Sequence, residues 1–141
     1  MDANELASRV AHRMLSAEGT GPAWGIRIEE ARAGYARLSM QIRAEMLNGH
    51  GIVHGGMVFA LADTAFAYMC NGRNEKTVAA QAGIVFLGSA EVGETLIAEA
   101  HEAATAGRSG VTRVSVRTAE GRPIAEFTGY SRTVGGAVVK I

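Results

Sequence analysis

The sequence predicts an α+β fold in which an antiparallel β-sheet wraps around one long helix. The segment from about Gly55 to Cys70 is apolar on nearly every face, as expected of a helix that is buried on all sides. Short, evenly spaced strand candidates follow it, separated by glycine-containing turns. Strands with one apolar face need a cover, and this helix is the only element apolar enough to provide it.

The elements before the central helix are an amphipathic helix and a hairpin. Residues 4–16 carry apolar side chains at helical spacing, with Asn4 as the predicted N-cap. The segment 19–24 then breaks the helix. Over residues 24–43 the pattern changes to a two-residue period, which predicts two strands joined by a turn near Gly34.

The second half of the chain is predicted to be all strand. The central helix is expected to end at Asn71-Gly72, because both residues tolerate the left-handed conformation. Four strands are then predicted, over residues 77–87, 94–104, 110–118 and 123–134.

Length and charge limit the classes of function. The chain has 141 residues, so we expect one domain over residues 1–141. Its 14 basic and 14 acidic side chains cancel, which leaves no net field to hold nucleic acid or an anionic membrane. The N-terminus lacks the apolar region of a signal peptide, and no segment approaches membrane-spanning length. We therefore expect a cytoplasmic protein.

Cysteine and histidine usage gives no sign of a metal or a disulfide. Cys70 is the only cysteine, and the four histidines show no paired spacing with Cys, Asp or Glu. We expect no metal. Cys70 has no predicted histidine partner, so core packing is favoured over a nucleophilic role. Arg108 and Lys76 could contact the phosphates of a nucleotide-bearing ligand, although isolated loop cations are usually only solvated.

The chemistry is concentrated where a glycine-rich loop runs into the central helix. Gly55 and Gly56 lie at the predicted helix start, where backbone N–H groups lack partners, the dipole is positive and no side chain blocks a ligand oxygen. An oxyanion hole is built in this way. Asp63 lies within the apolar helix, where burial would make it more basic. Asn48 offers an amide that can orient a water or a carbonyl.

Each of these residues also has a purely structural interpretation. The glycines can form a tight turn before a helix, and Asp63 can be a buried carboxylate bonded to a backbone amide. Asn48 precedes a glycine, a common turn dipeptide. His54 can be a general acid or base, or can shape the loop through a ring-to-backbone hydrogen bond, which is the role we favour.

The spacing of Gly55 and Asp63 predicts a dimer. Eight residues at roughly 1.5 Å each separate them by about 12 Å along one helix, so they cannot touch the same carbonyl carbon. If two copies pack with these helices antiparallel about a two-fold axis, Gly55 of one can approach Asp63 of the other. We therefore predict an obligate homodimer with two composite sites.

Two sequence blocks carry a family resemblance: MLNGHGIVHGG at residues 46–56 and FALADTAFAYMCN at residues 59–71. Together they resemble the hotdog-fold thioesterases of phenylacetate degradation, the PaaI-type family. The resemblance continues through IVFL at 84–87, GETL at 93–96 and RTVGG at 132–136. It implies a hotdog fold and a homotetramer built as a dimer of dimers. It also implies hydrolysis of aryl-acetyl-CoA or other acyl-CoA thioesters with neither metal nor organic cofactor.

The resemblance also implies roles for individual residues. Asp63 matches the family's catalytic carboxylate, and Gly55 matches its oxyanion amide. Asn48 matches the amide that orients substrate or water, and His54 the histidine before the oxyanion glycine.

The neighbours of these residues are expected to bind substrate, with two departures from the family. Thr64 and Gly56 adjoin the catalytic pair. Ala80 stands where related proteins often carry a serine that faces the site, and Val85 where they often carry an acid or amide. These departures bear on the acyl preference more than on the reaction.

Two other functions stay open at this point. A hotdog hydratase or dehydratase acting on an enoyl-CoA would need a histidine placed for proton shuttling, whereas His54 is expected to shape the loop. A non-catalytic acyl-CoA sensor would bind the same ligand without turnover. A DNA-directed sensor would need a basic or helix-turn-helix segment, which the sequence lacks.

Overall fold

A computed structural model describes all 141 residues. Two helices come first, α1 (Ala3–Ala17) and the short α2 (Thr20–Ala23), followed by the hairpin of β1 (Arg27–Arg32) and β2 (Tyr35–Gln41). A 3₁₀ turn (Ala44–Met46) leads to the long helix α3 (Gly55–Cys70). The remaining strands are β3 (Thr77–Phe86), β4 (Thr95–Ala106), β5 (Ser109–Thr118) and β6 (Pro123–Thr133). The predicted α+β class is confirmed.

The six strands form one antiparallel sheet in the order β1-β2-β4-β5-β6-β3, and α3 packs against its concave face. Along each inner strand, apolar side chains face the helix and polar ones face outward. In β4, for example, Leu96 and Ala98 are buried whereas Glu99 is partly exposed. This is the two-residue alternation of a sheet with one covered face.

Close packing of α3 on the sheet depends on one glycine. Gly129 of β6 lies beneath Phe66 of α3, and a Cβ at this position would come within 2.8 Å of the Phe66 ring. Phe66 also packs against Phe127, with ring centroids 5.8 Å apart. Any side chain at Gly129 would therefore push the helix away from the sheet. No helix of the protein combines the length and the apolarity needed to cross a membrane.

The predicted N-cap of helix α1 needs correction. Helix α1 is capped by Asp2, not Asn4: the Asp2 carboxylate accepts from the Glu5 amide while the Glu5 side chain accepts from the Asp2 amide. This reciprocal pair satisfies two donors, which a single Asn cap would not. The Asn4 side chain instead accepts from the Ala33 amide.

Helix α3 ends where predicted, but for a different reason. Asn71 is right-handed, with φ −88°, and the left-handed residue is Asn74, with φ 65°. The Asn71 side chain donates to the carbonyl of Ala67 and accepts from the amide of Thr77. These contacts link the end of α3 to the start of β3.

Strand β3 differs from the other strands because its inner face is only partly covered. It lies at one edge of the sheet, paired only with β6, and none of its residues is buried. Three of its apolar side chains are exposed, with Val78 51%, Val85 61% and Phe86 53% accessible. Ala82 and Ile84 pack against the core but are only half-buried, so the predicted covered face is present and incomplete on this strand.

Candidate active site

The start of α3 presents one backbone N–H group without an acceptor. His54 is the N-cap, and its Nδ1 accepts from the Gly56 amide at 2.8 Å. The amides of Met57 and Val58 donate to the His54 carbonyl at 2.9 and 3.3 Å. Of the four donors in the first turn, only that of Gly55 is left without a partner in the chain. It therefore points a free donor outward at the positive end of the helix dipole.

The cap also defines the state of His54. Because Nδ1 accepts a hydrogen bond from the Gly56 amide, it carries no proton in this arrangement. This is the ring-to-backbone hydrogen bond that the loop-shaping interpretation of His54 requires. His54 fixes the helix start on which Gly55 lies.

Asn48 is held in a small hairpin directly before the helix. Its Oδ1 accepts from the amides of His50 and Ile52 at 2.9 and 3.4 Å, as the turn interpretation requires. The loop is closed by a bridge between Leu47 and Val53. The Nδ2 group of Asn48 has no acceptor in the chain, so the turn orients a free amide donor. The structural role of Asn48 and a ligand-binding role are thus compatible.

Asp63 lies on the wall of an apolar cleft and has no polar partner. The cleft, of about 480 Å³, opens between α3 and the C-terminal end of α1. Burial alone raises the pKa of the Asp63 carboxyl above its usual value, since no hydrogen bond or cation compensates for the lost hydration. The interpretation of Asp63 as a carboxylate bonded to a backbone amide is therefore wrong, and both of its oxygens are free to accept a hydrogen bond from a ligand or water.

The three expected substrate contacts are in different places. The Thr64 hydroxyl lines the same cleft and donates to the Ala60 carbonyl at 2.7 Å. The Gly56 amide is occupied by His54. Ala80 lies at a bulge in β3 and lines a separate hollow beside Tyr130. Within one chain, only Thr64 shares the cleft with Asp63.

Two residues at the far end of the cleft were missed by the sequence analysis. The Tyr68 hydroxyl donates to the carboxylate of Glu18, which follows α1, and the other oxygen of Glu18 accepts from the Gly21 amide at 3.2 Å. Tyr68 lies four residues after Thr64, at the spacing of one helix face, and this is the signal that could have identified it. Glu18 carries no comparable signal, because only the tertiary fold brings it to the cleft.

Phe86 is a third missed residue and lies against Gly55. A Cβ added to Gly55 would lie 3.0 Å from Cζ of Phe86, so the ring packs directly on this glycine. The start of α3 therefore lies against the end of the exposed edge strand β3. In a single chain, neither Gly55 nor Asn48 reaches the cleft that Asp63 lines.

The other candidates lie at the opposite end of α3. Burial raises the pKa of the Cys70 thiol to about 12, so the thiol is protonated and unreactive at neutral pH. Arg108 lines a polar cleft there with Arg73, which is paired with Glu102. Lys76 is exposed and binds the carbonyl of Gly136 through its backbone. No group of three or more His, Cys, Asp or Glu side chains lies together.

Comparison with known proteins gives a consistent result. Residues 50–125 match the thioesterase superfamily. The chain is 38% identical over 128 residues to the acyl-coenzyme A thioesterase PaaI of Escherichia coli (strain K12), covering 91% of each chain.

Solved structures agree with the sequence comparison. The structure of the E. coli PaaI protein from the phenylacetic acid degradation operon matches with a TM-score of 0.94 and 36% identity, over 96% of this chain and 99% of that one. A protein of Thermus thermophilus matches with a TM-score of 0.78 and 33% identity, over 81% and 96%. The fold is thus the hotdog fold. The chain belongs to the thioesterase superfamily and, within it, to the PaaI-type family, and it is a thioester hydrolase.

Proposed function

We propose that the protein hydrolyses aryl-acetyl-CoA thioesters, of the phenylacetyl or ring-hydroxylated phenylacetyl type, to the free acid and CoA. The observation that carries this proposal is the unpaired carboxylate of Asp63 on the wall of an apolar cleft. A ligand cleft of this size accommodates a small apolar acyl group. The similarity to a protein named as an acyl-coenzyme A thioesterase supports an acyl-CoA thioester as the substrate, with CoA as the leaving group.

A dimer would complete the site. Strand β3 offers a full row of unpaired backbone groups at the sheet edge, flanked by exposed Val78, Val85 and Leu87. A long apolar edge strand of this kind is a site for pairing with another chain. Antiparallel pairing of two β3 edges is self-complementary about a two-fold axis.

The contact between Phe86 and Gly55 favours a shared site. Because Phe86 is the last residue of β3, the free amide of Gly55 lies next to the proposed dimer edge. The partner's α3 then approaches this amide, as the spacing of about 12 Å between Gly55 and Asp63 on one helix requires. Each site would combine Gly55 and Asn48 of one subunit with Asp63 of the other.

In the proposed mechanism, the thioester carbonyl oxygen accepts from the Gly55 amide. Negative charge develops on this oxygen as the carbonyl is attacked, and one such donor contributes on the order of 3 kcal/mol to the transition state. The free Nδ2 of Asn48 orients the water or the carbonyl. The cap by His54 keeps the Gly55 amide in place.

Asp63 promotes attack on the thioester carbonyl carbon by one of two routes. As a general base, it takes a proton from water, hydroxide adds to the carbonyl carbon, and the C–S bond breaks as Asp63 returns the proton to the thiolate. As a nucleophile, it displaces the thiolate and forms an anhydride that water then opens. In a single turnover in ¹⁸O water, label in the Asp63 carboxylate would exclude the purely general-base route.

The function is tested by thiol release from phenylacetyl-CoA, benzoyl-CoA and straight-chain acyl-CoAs, with wild type compared to Asp63→Asn. We expect release from the aryl-acetyl esters and a loss of at least about 10²-fold in the variant. No release from any ester, with acyl-CoA binding retained, would instead indicate a sensor. Loss of enoyl absorbance without thiol release would indicate a hydratase.

A further inference from the structure

The far end of the Asp63 cleft carries a polar group that the proposed hydrolysis does not use. The cleft is lined mainly by small or apolar side chains: Met14, Ala17, Ala60 and Ala67. Glu18 and Tyr68 also line the cleft, and their side chains form a hydrogen-bonded polar pair there. A carboxylate in an apolar cleft is costly unless it accepts hydrogen bonds.

Glu18 retains acceptor capacity after its contacts in the chain are made. One oxygen accepts from the Tyr68 hydroxyl and the other from the Gly21 amide. A carboxylate has about four lone-pair sites, so each oxygen can accept once more. Burial and the neighbouring carboxylate both raise the pKa of Tyr68, which therefore stays protonated and continues to donate to Glu18. The Gly21 amide orients the Glu18 carboxylate independently of Tyr68, so the free acceptors of Glu18 keep their position without the Tyr68 hydroxyl.

The length of the cleft suits a hydroxylated acyl group. Asp63 and Tyr68 are five residues apart, or about 7.5 Å along the axis of α3. This matches the distance from the carbonyl carbon of a phenylacetyl group to a substituent at the far side of its ring. An acyl group whose carbonyl carbon lies at Asp63 and whose ring extends along the cleft towards Tyr68 would present a hydroxyl at its far end to Glu18.

We propose that Glu18 is a specificity-determining residue that accepts a hydrogen bond from a hydroxyl at the far end of the acyl group. The inference rests on the proposed acyl-CoA hydrolysis. It attributes the acyl preference of the enzyme to a residue that takes no part in the proposed reaction. A site built to bond a substrate hydroxyl discriminates against the analogue that lacks it, because the analogue covers the half-buried Glu18 carboxylate without pairing it.

The test compares kcat/KM for 4-hydroxyphenylacetyl-CoA and phenylacetyl-CoA. Wild type should prefer the hydroxylated ester by about ten- to a hundredfold, the range expected for a hydrogen bond to a charged group. Glu18→Gln should remove most of this preference by lowering the rate on the hydroxylated ester alone. Tyr68→Phe frees an acceptor on Glu18 and should retain the preference.

The two variants separate recognition from structure. If Glu18 only joins α1 to α3, both variants weaken the same contact and should lower the rates on the two esters in the same proportion, which would overturn the inference. A wild-type preference near one would overturn it as well. Should Glu18→Gln fail to fold, Glu18→Asp keeps the charge but withdraws it by one methylene, and a reduced preference is expected. Absence of thiol release by wild type from either ester would overturn the proposed function itself.

Discussion

At the scale of single residues, the candidate site contains two polar groups that are left without partners in the chain. The first turn of α3 has four amide donors, and His54 accounts for three of them, which leaves Gly55 free. Asp63 is the corresponding free acceptor, with a pKa raised by burial alone. Most polar groups in such positions are paired, so an unpaired donor and an unpaired base are typical of a functional site.

The Gly55 amide can be removed without breaking the helix. Proline is favoured at the first helical position, and the preceding residue, His54, has φ −66° and ψ 134°, the conformation that precedes proline. Gly55→Pro should lower kcat by about 10²- to 10³-fold relative to Gly55→Ala. Gly55→Ala keeps the N–H and also places a Cβ against the Phe86 ring, so it controls for crowding at this position. Equal rates for the two variants would exclude Gly55 as the oxyanion donor.

The Asp63 carboxylate should lower the free energy of unfolding at neutral pH. Since burial raises its folded-state pKa, the protonated carboxyl favours the folded state. That contribution is present at low pH and is lost as the pH rises through the folded pKa. Asp63→Asn does not titrate, so the Tm of the variant minus that of wild type should be larger at pH 7 than at pH 4. Glu120→Gln, on an exposed turn, controls for the loss of a charge. A Tm difference that does not change with pH would contradict a raised pKa for Asp63.

At the scale of elements, the sequence predicted each strand but not which strands pair with it in the sheet. A two-residue period identifies strands such as β4 and β5, because their inner faces lie on the same helix. The period says nothing about strand order, so the exposure of β3 at the edge became clear only in the fold. The N-cap of α1 was missed for a related reason, because Asp2 and Asn4 are both good caps and only the reciprocal bond to Glu5 separates them.

The exposed edge predicts how the dimer can be broken. Val85→Lys places a charge on β3, where it should oppose strand pairing. Since β3 contributes no buried residue, the variant should stay folded but become monomeric and inactive. Val92→Lys is the matched control, because Val92 is 52% exposed in the loop before β4. The check is the mass in solution together with thiol release, and a Val85→Lys monomer with full activity would contradict a shared site.

At the scale of the whole molecule, the sequence predicts candidate catalytic residues but not the shape of the cleft. Gly55, Asp63 and Asn48 are recognisable because a glycine pair, a buried acid and a loop amide are unusual near one helix. Glu18 lies 45 residues before Asp63 in sequence and reaches the cleft only because α1 packs on α3. We expect two such dimers to form the tetramer that the family resemblance implies.

The most direct test of a site shared between subunits is complementation. Asp63→Asn and Gly55→Pro chains carrying different affinity tags are expressed together, and assemblies that contain both are isolated for thiol-release assays. In each mixed dimer, one site receives an intact Gly55 and an intact Asp63, while the other receives both defects. We therefore predict that the mixed assemblies regain activity that neither variant has alone. Mixed assemblies as inactive as the separate variants would contradict the account.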